Sequence, residues 1–555
     1  MEFTRRDLLT WGSGITAGLV LTPVPWKLLD DTSIWTQNWP WIPQPARGPV
    51  EVKNSFCALC PNGCGMRVRM AAGWPVGISG MQHHPVNRGA LCPLGFGAHQ
   101  LNWHPRRLRQ VGHQGRACSW SDALAAFRKA CAEGPVAIID GYPDRAASAI
   151  CHGFARRHGS YRVALRAEQR ALLPYEKWSG VPAAALGYDL ENTGTILSFG
   201  APLLDGWSAP GRFARLWSVR GAGSADSQLR LIQVEAAPSH TAACAWRWVP
   251  IMPGSDAALA AGIALVLHEE HRTAPNAPVP STTLADAAAR TGLSVDAIRD
   301  LARLLCEHGP ALAISAQPNP AVAALNVALG AIGTRGGIVR RGRRTEPLAA
   351  ADTLPSHLRA VLVDASVPAD FLASTEAEIF RFAAWEGSAG RNDWLLPAPG
   401  FLEELTDIPT APLSSIETYA VAPPLSKPPA EVKSAAQFLM AVDSSIPDVE
   451  KIIHARCRQL FQSRAGHLQG EELAAAAPPE SAQAFEKQLW SGAVWVGDPP
   501  HFGGIPCRLT AWPQSAAPVA RAGWTAAWPA PVLPPLATKL YQESSLREPP
   551  ERRAI

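Results

Sequence analysis

Cys57-Ala58-Leu59-Cys60-Pro61-Asn62-Gly63-Cys64, followed after 27 intervening residues by Cys92 in Asn87-Arg88-Gly89-Ala90-Leu91-Cys92-Pro93-Leu94-Gly95, is where the reading of this chain begins. Pro61, Gly63 and Gly65 make the first segment rich in turns, so three sulfurs can fold toward one point. Cys92 returns from a distance to close the group. Four soft thiolates suit an iron–sulfur cluster or a zinc ion. Zinc sites of this ligand set usually come as two Cys-x-x-Cys pairs, whereas here a triplet is joined by one, a spacing that favours the cluster. Two disulfides are a third reading, open to an exported protein. The other seven cysteines (Cys118, Cys131, Cys151, Cys244, Cys306, Cys457 and Cys507) are scattered singly and read as packing residues.

Upstream, the chain opens Thr4-Arg5-Arg6-Asp7-Leu8-Leu9, with a glycine-interrupted apolar run to Pro23. Paired arginines before an apolar run too short to span a bilayer read as a twin-arginine export signal, assigned to residues 1–30. No Ala-x-Ala cleavage site follows. That route carries proteins already folded, which suits a cofactor inserted beforehand. No other stretch is long and apolar enough to cross a membrane, so membrane contact is expected through partners.

Downstream, Ala137–Gly141, Thr195–Gly200 and Arg230–Glu235 are short apolar runs, and helical patterns lie between them. This alternation predicts parallel α/β layers, with ligands at the carboxyl ends of the strands. With 555 residues, 47% hydrophobic and 18% charged, the chain is globular and large enough for several subdomains. A net charge of +4, without basic tracts interleaved with aromatics, excludes a nucleic-acid partner. Arg106, Arg107 and Arg109 follow the fourth cysteine and form either a charge source for the cluster or a solvated patch. His83, His84, His99 and His104 lie near the cluster loop and read as structural.

The four cysteines, their spacing and the paired arginines resemble the large subunit of the complex iron–sulfur molybdoenzymes, the molybdopterin oxidoreductases. The resemblance continues through Trp248–Leu259, with Pro253-Gly254-Ser255-Asp256, through Ile332–Gly337, and through Asp393–Ala398 with Glu403. It implies a small N-terminal [4Fe–4S] domain over 50–112, intertwined parallel-sheet α/β domains over 113–425, and a reduced C-terminal region over 426–555 whose cap domain is diminished or absent. Cys57, Cys60, Cys64 and Cys92 are the implied cluster ligands.

Five departures bear on the family's molybdopterin guanine dinucleotide. Leu94 stands where a Lys or Arg usually follows the fourth cysteine. Val163–Arg170 offers no Cys or Ser metal ligand, and Glu168 is its one acid. Gly200-Ala201-Pro202 replaces a Gly-x-Asn, and Glu235-Ala236-Ala237-Pro238 replaces an Asp-Pro-Arg. The chain is also short for the family. The pterin is therefore not expected to bind, and its cavity is expected to have collapsed or filled.

Ser33–Trp41, Leu94–Leu101 with His104–Arg107, and Lys539–Arg547 resemble the molybdopterin-like subunits of menaquinone reductase and alternative complex III. Such subunits sit outside the membrane beside a multihaem cytochrome c, a multi-cluster iron–sulfur subunit and an integral quinone-binding subunit. Their task is electron transfer from haem toward quinone. Lys539–Arg547 reads as a docking segment. Three rivals stand beside this: an active molybdopterin-dependent oxidoreductase, a structural scaffold without redox role, and a zinc-stabilised binding module.

Overall fold

The computed structural model describes residues 4–21, 48–142, 144–164, 168–204, 207, 210–221, 229–341, 354–364, 372, 375–385, 393–428, 430–471 and 479–513. Ser33–Trp41 and Lys539–Arg547 lie outside them, as do most of the Val163–Arg170 side chains. Arg5–Leu21 is a helix with every residue exposed.

The cluster region is a three-stranded antiparallel sheet of Val50–Phe56, Gly65–Ala71 and Trp74–Gly80. Phe56 pairs with Gly65, so residues 57–64 are the loop of a hairpin. Val68, Met70 and Ile78 form one buried face, on which Leu91, Leu94, Ala98 and Leu101 pack.

Two α/β layers follow, one inserted in the other. Thr195–Phe199, Arg230–Val234, Arg247–Val249 and Ala311–Ser315 form an all-parallel four-stranded sheet. Alternate residues go to opposite cores. Leu197, Phe199, Ile232 and Val234 enter one, and Ile196, Leu231, Leu312 and Ile314 enter the other. A sheet apolar on both faces must be covered by helices on both, which explains the continuous apolar runs.

The second layer is seven-stranded and built from two separate parts of the chain. Val136–Asp140 and Tyr161–Ala164 from the earlier part lie parallel to Ala360–Val363, Glu378–Ala383 and Trp394–Pro397 from the later one. Val111–His113 and Arg116–Cys118 extend the Trp394–Pro397 edge antiparallel. The α/β architecture is thus intertwined, with the four-stranded layer lying between the two halves of the seven-stranded one.

Residue 425 does not separate two units. Thr406–Ile408 and Thr418–Ala422 share an antiparallel sheet with Val494–Val496 and His467–Gln469. Helices Val449–Ser463 and Ala482–Trp490 cover one face through Ile453, Leu460, Phe485 and Leu489. The other face packs Ile408, Ala420, Val494 and Val496 on Phe56 and Met81 of the cluster region. The later part of the chain therefore backs the cluster hairpin directly.

Candidate metal centre

The hairpin loop is shaped by its backbone. Cys57 N donates to Cys64 O at 2.8 Å and closes the turn. Gly63 has φ +61°, and a side chain there would run into Ile408. Only glycine meets both demands. The second loop is tied to the first by Asn87, which is fully buried. Its Oδ1 accepts from Gly65 N at 2.9 Å, and its Nδ2 donates to Gly65 O at 3.0 Å and Ala90 O at 2.8 Å. Cys92 then precedes the short helix Pro93–Gly97, with Gly95 N donating to its Sγ at 3.4 Å.

All four sequence-selected cysteines come together. Cys57 and Cys64 are buried, Cys60 and Cys92 half-buried, and none is in a disulfide. A methyl group at Gly95 would stand 3.8 Å from Cys92 Sγ and 3.9 Å from Cys57 Sγ, so one small space separates those sulfurs. Gly211, at the start of helix Pro210–Arg220, abuts the pocket from the inserted layer: a Cβ there would lie 3.0 Å from Cys64 Sγ. Burial pushes the Cys57 thiol up to about 12, aided by Cys92. Burial also raises the Cys64 thiol well above its ordinary value, followed by the effects of Cys60, Cys57 and Cys92. Four thiolates so placed repel one another and need a cationic group between them.

Among the described residues no three His, Cys, Asp or Glu side chains close on a point that one metal ion could occupy. Asn62, inside the loop, is buried with both amide atoms unpaired, as expected where a group with hydrogen-bonding atoms is still to be added.

The nearby histidines and arginines are mostly engaged elsewhere. His84 is buried under Gly65, its Nδ1 accepting from Val86 N at 3.3 Å, and burial pushes its pKa down to about 3. His83 bonds the Glu471 carbonyl at 2.9 Å. His104 Nδ1 accepts from Arg106 N at 3.2 Å. His99 is half-buried in the turn after the Pro93–Gly97 helix. Arg107 forms a buried ion pair with Glu403, Arg109 is exposed, and Leu94 packs against the cluster core.

Sequence reasoning missed the two residues that grip the loop from outside. Both lie just past the strand Val136–Asp140. Tyr142 OH donates to Leu59 O at 3.2 Å, and Arg145 Nη2 donates to Ala58 O at 2.9 Å and Cys60 O at 3.4 Å. The Arg145 guanidinium lies 4.0 Å from the Tyr142 ring centroid.

Beside them, a cavity of about 160 Å³ opens at the carboxyl ends of the seven-stranded sheet, lined by Tyr142, Arg145, Asp364, Trp385, Gly400 and Glu404. Protein encloses the Glu404 carboxyl, although the residue stays open to solvent through the cavity. That enclosure pushes its pKa up to about 7, against the pull of Arg145 and with the help of Glu403.

Among the described residues, the matching edge of the four-stranded sheet is packed with apolar side chains. Leu203, Trp207 and Phe213 are buried there, leaving a void of about 10 Å³. Ala201, where the family has a polar residue nearby, offers its carbonyl to Ser198 Oγ and Gln233 Nε2 at 3.3 Å each.

Known proteins resemble this chain in the same regions. The molybdopterin oxidoreductase Fe4S4 domain matches residues 50–101. The molybdopterin-binding-like subunit of menaquinone reductase from Nitratidesulfovibrio vulgaris is 26% identical over 502 residues, covering 80% of this chain and 72% of that protein. Nitrate reductase of Klebsiella oxytoca is 26% identical over 225 residues, 37% of this chain and 25% of that one. Acetylene hydratase from Pelobacter acetylenicus superposes with a TM-score of 0.56 at 14% identity, covering 72% of this chain and 70% of that one, a likeness of fold. The chain is thus similar to the molybdopterin oxidoreductases, with the match to their Fe4S4 domain at residues 50–101.

Proposed function

We propose that this chain is the electron-transferring subunit of a membrane-associated quinone oxidoreductase complex, holding one [4Fe–4S] cluster on Cys57, Cys60, Cys64 and Cys92 and binding no molybdopterin guanine dinucleotide. The observation that carries the reading is the contrast between a complete four-thiol pocket and, among the described residues, two sheet edges with little space. A cavity of about 160 Å³ lies below the roughly 300–1,000 Å³ of sites for drug-sized ligands. The pterin dinucleotide is larger than those ligands, and the other edge is packed with Trp207 and Phe213. Likeness to a menaquinone reductase subunit supports the quinone assignment.

A bound cluster supplies reversible one-electron storage. The chain's own residues hold and shield it. Asn87 fixes the two cysteine loops against each other, Tyr142 and Arg145 hold the carbonyls between the first two cysteines, and Leu94 keeps water from one side. The partners in this reading are a multihaem cytochrome c, a multi-cluster iron–sulfur subunit and an integral quinone-binding subunit. The helix Arg5–Leu21 serves as a twin-arginine export segment, and the protein works on the periplasmic side of the cytoplasmic membrane. Among the described residues no helix is long and apolar enough to cross a membrane.

Metal and pterin analysis of the natively exported protein tests this. The expected result is about four irons per chain, with no molybdenum, tungsten or pterin fluorescence after acid oxidation. Molybdenum or tungsten near one per chain would overturn it in favour of an active pterin enzyme.

A further inference from the structure

We propose that Arg145 supplies the positive charge that sets the cluster's reduction potential, and that Arg456 and Asp407 are positioning residues that hold it in place. The inference rests on the cluster reading above and goes beyond it, because Arg145 belongs neither to the cysteine loops nor to the basic residues after Cys92.

Three observations carry it. First, Arg145 touches the ligand loop itself. Its Nη2 hydrogen-bonds Ala58 O and Cys60 O, and it lies within electrostatic range of Cys57. The peptide whose carbonyl it holds, Ala58–Leu59, also carries the Leu59 N–H, which helps to lower the Cys57 thiol's pKa against the larger effect of burial. Pulling on the carbonyl polarises that peptide and makes its N–H a stronger donor. Positive charge and N–H bonds to sulfur both favour the reduced, more negative cluster.

Second, other cations near the site are committed elsewhere. Leu94 carries no charge, Arg107 is neutralised by Glu403, and Arg109 is exposed to solvent screening.

Third, Arg145 is held by its backbone, which leaves its side chain to the loop. Arg456 Nη1 donates to Asp144 O at 2.8 Å and to Asp407 Oδ2 at 2.5 Å, and its Nη2 donates to Arg145 O at 3.4 Å. Asp407, fully buried, also accepts from Ala146 N at 2.6 Å through Oδ1. Arg456 and Asp407 come from the region that backs the hairpin, so this region fixes the residue beside the cluster. Across the cavity Arg145 faces Glu404, Asp364 and Tyr142, so its charge is shared between the ligand loop and these groups.

A redox titration of the holoprotein, followed by the electron paramagnetic resonance of the reduced cluster, tests the proposal. Arg145→Gln is expected to lower the reduced-to-oxidised ratio at fixed potential at least tenfold, a negative shift of about 59 mV for one electron. Arg145→Lys, which keeps the charge but not the fork, is expected to fall between wild type and Arg145→Gln. Arg456→Lys is expected to shift the potential in the same direction as Arg145→Gln with iron content unchanged. If Arg145→Gln loses the cluster, the comparison passes to Arg145→Lys, where a potential below wild type with iron content unchanged supports the proposal, a potential equal to wild type overturns it, and a loss of cluster as well assigns Arg145 a folding role and overturns it too. A full iron complement in Arg145→Gln with an unmoved potential also overturns it. A wild-type chain without iron would instead sink the cluster reading itself.

Discussion

His84 lies under the strand that follows Cys64, with Gly65 against its ring and Phe56 at 5.8 Å. A side chain at Gly65 would collide with the imidazole at 2.6 Å. Burial keeps the ring neutral, with its pKa pushed down to about 3, against about 6.5 in an unfolded chain. Between those values the unfolded state binds the extra proton, so this contribution to stability is complete above pH 6.5 and is lost as pH falls toward 3. Its full size is of the order of 5 kcal/mol. Urea unfolding between pH 7 and pH 5 should show a midpoint falling more steeply in wild type than in His84→Asn, whose amide oxygen can still accept from Val86 N. Equal slopes would show that His84 does not titrate on unfolding. The residue-level lesson of the sequence is mixed. The cysteines were legible because their spacing and turn residues are local. Arg145 was not, because its partners are backbone carbonyls 85 and 87 positions away, and carbonyls leave no trace in side-chain chemistry. Gly211 was silent for the same reason, since its role is to leave space beside a distant sulfur.

At the scale of elements, the segment after Cys92 is joined to the seven-stranded sheet by the pair Arg107–Glu403. Both side chains are 1% exposed. Gly400 N donates to Glu403 at 2.6 Å, and Leu108 N donates to Ala384 O at 2.9 Å. Removing one member of a buried pair leaves the other charged and unpaired, at a cost of about 3–5 kcal/mol. Arg107→Met should lower the denaturation midpoint accordingly, and Arg107→Met with Glu403→Leu should recover most of the loss. A double variant as weak as the single one would place the cost in packing instead. Elements were legible where burial is two-sided. Val136–Asp140, Thr195–Phe199 and Arg230–Val234 are strands where their apolar runs indicated, and Trp394–Pro397 is one where the resemblance placed it. His467–Gln469 and Val494–Val496, three residues each, were not. Such short runs carry no period, and only the pairing of Val494–Val496 with Thr418–Ala422 on one side and His467–Gln469 on the other makes them strands.

For the whole molecule, the same sheet decides what can be removed. Residues after 425 looked like a reduced appendage in the sequence because Ala and Pro are frequent there. In the fold they cover Tyr419 and Val421 with Leu468, Phe485, Leu489 and Trp495, and supply Arg456 to the Arg145 turn. A chain ending at residue 425 should therefore expose this apolar face and fail to unfold cooperatively, as read by calorimetry and dye binding. A soluble, cooperatively unfolding, iron-loaded truncation would show that the later region is dispensable.

The split origin of the seven-stranded sheet also has a consequence in time. A ribosome delivers Cys57–Cys92 and Val136–Asp140 early, but Ala360–Val363, Trp394–Pro397, Asp407 and Arg456 only some 220 to 320 residues after Val136–Asp140. At roughly 5–20 residues per second, the thiols wait on the order of ten seconds to a minute before their surroundings exist. Through that interval the nascent hairpin is a set of open, oxidisable sulfurs. A metal centre on these sulfurs would therefore be assembled after termination, once Asp407 and Arg456 are in place, which makes its insertion a step timed by translation.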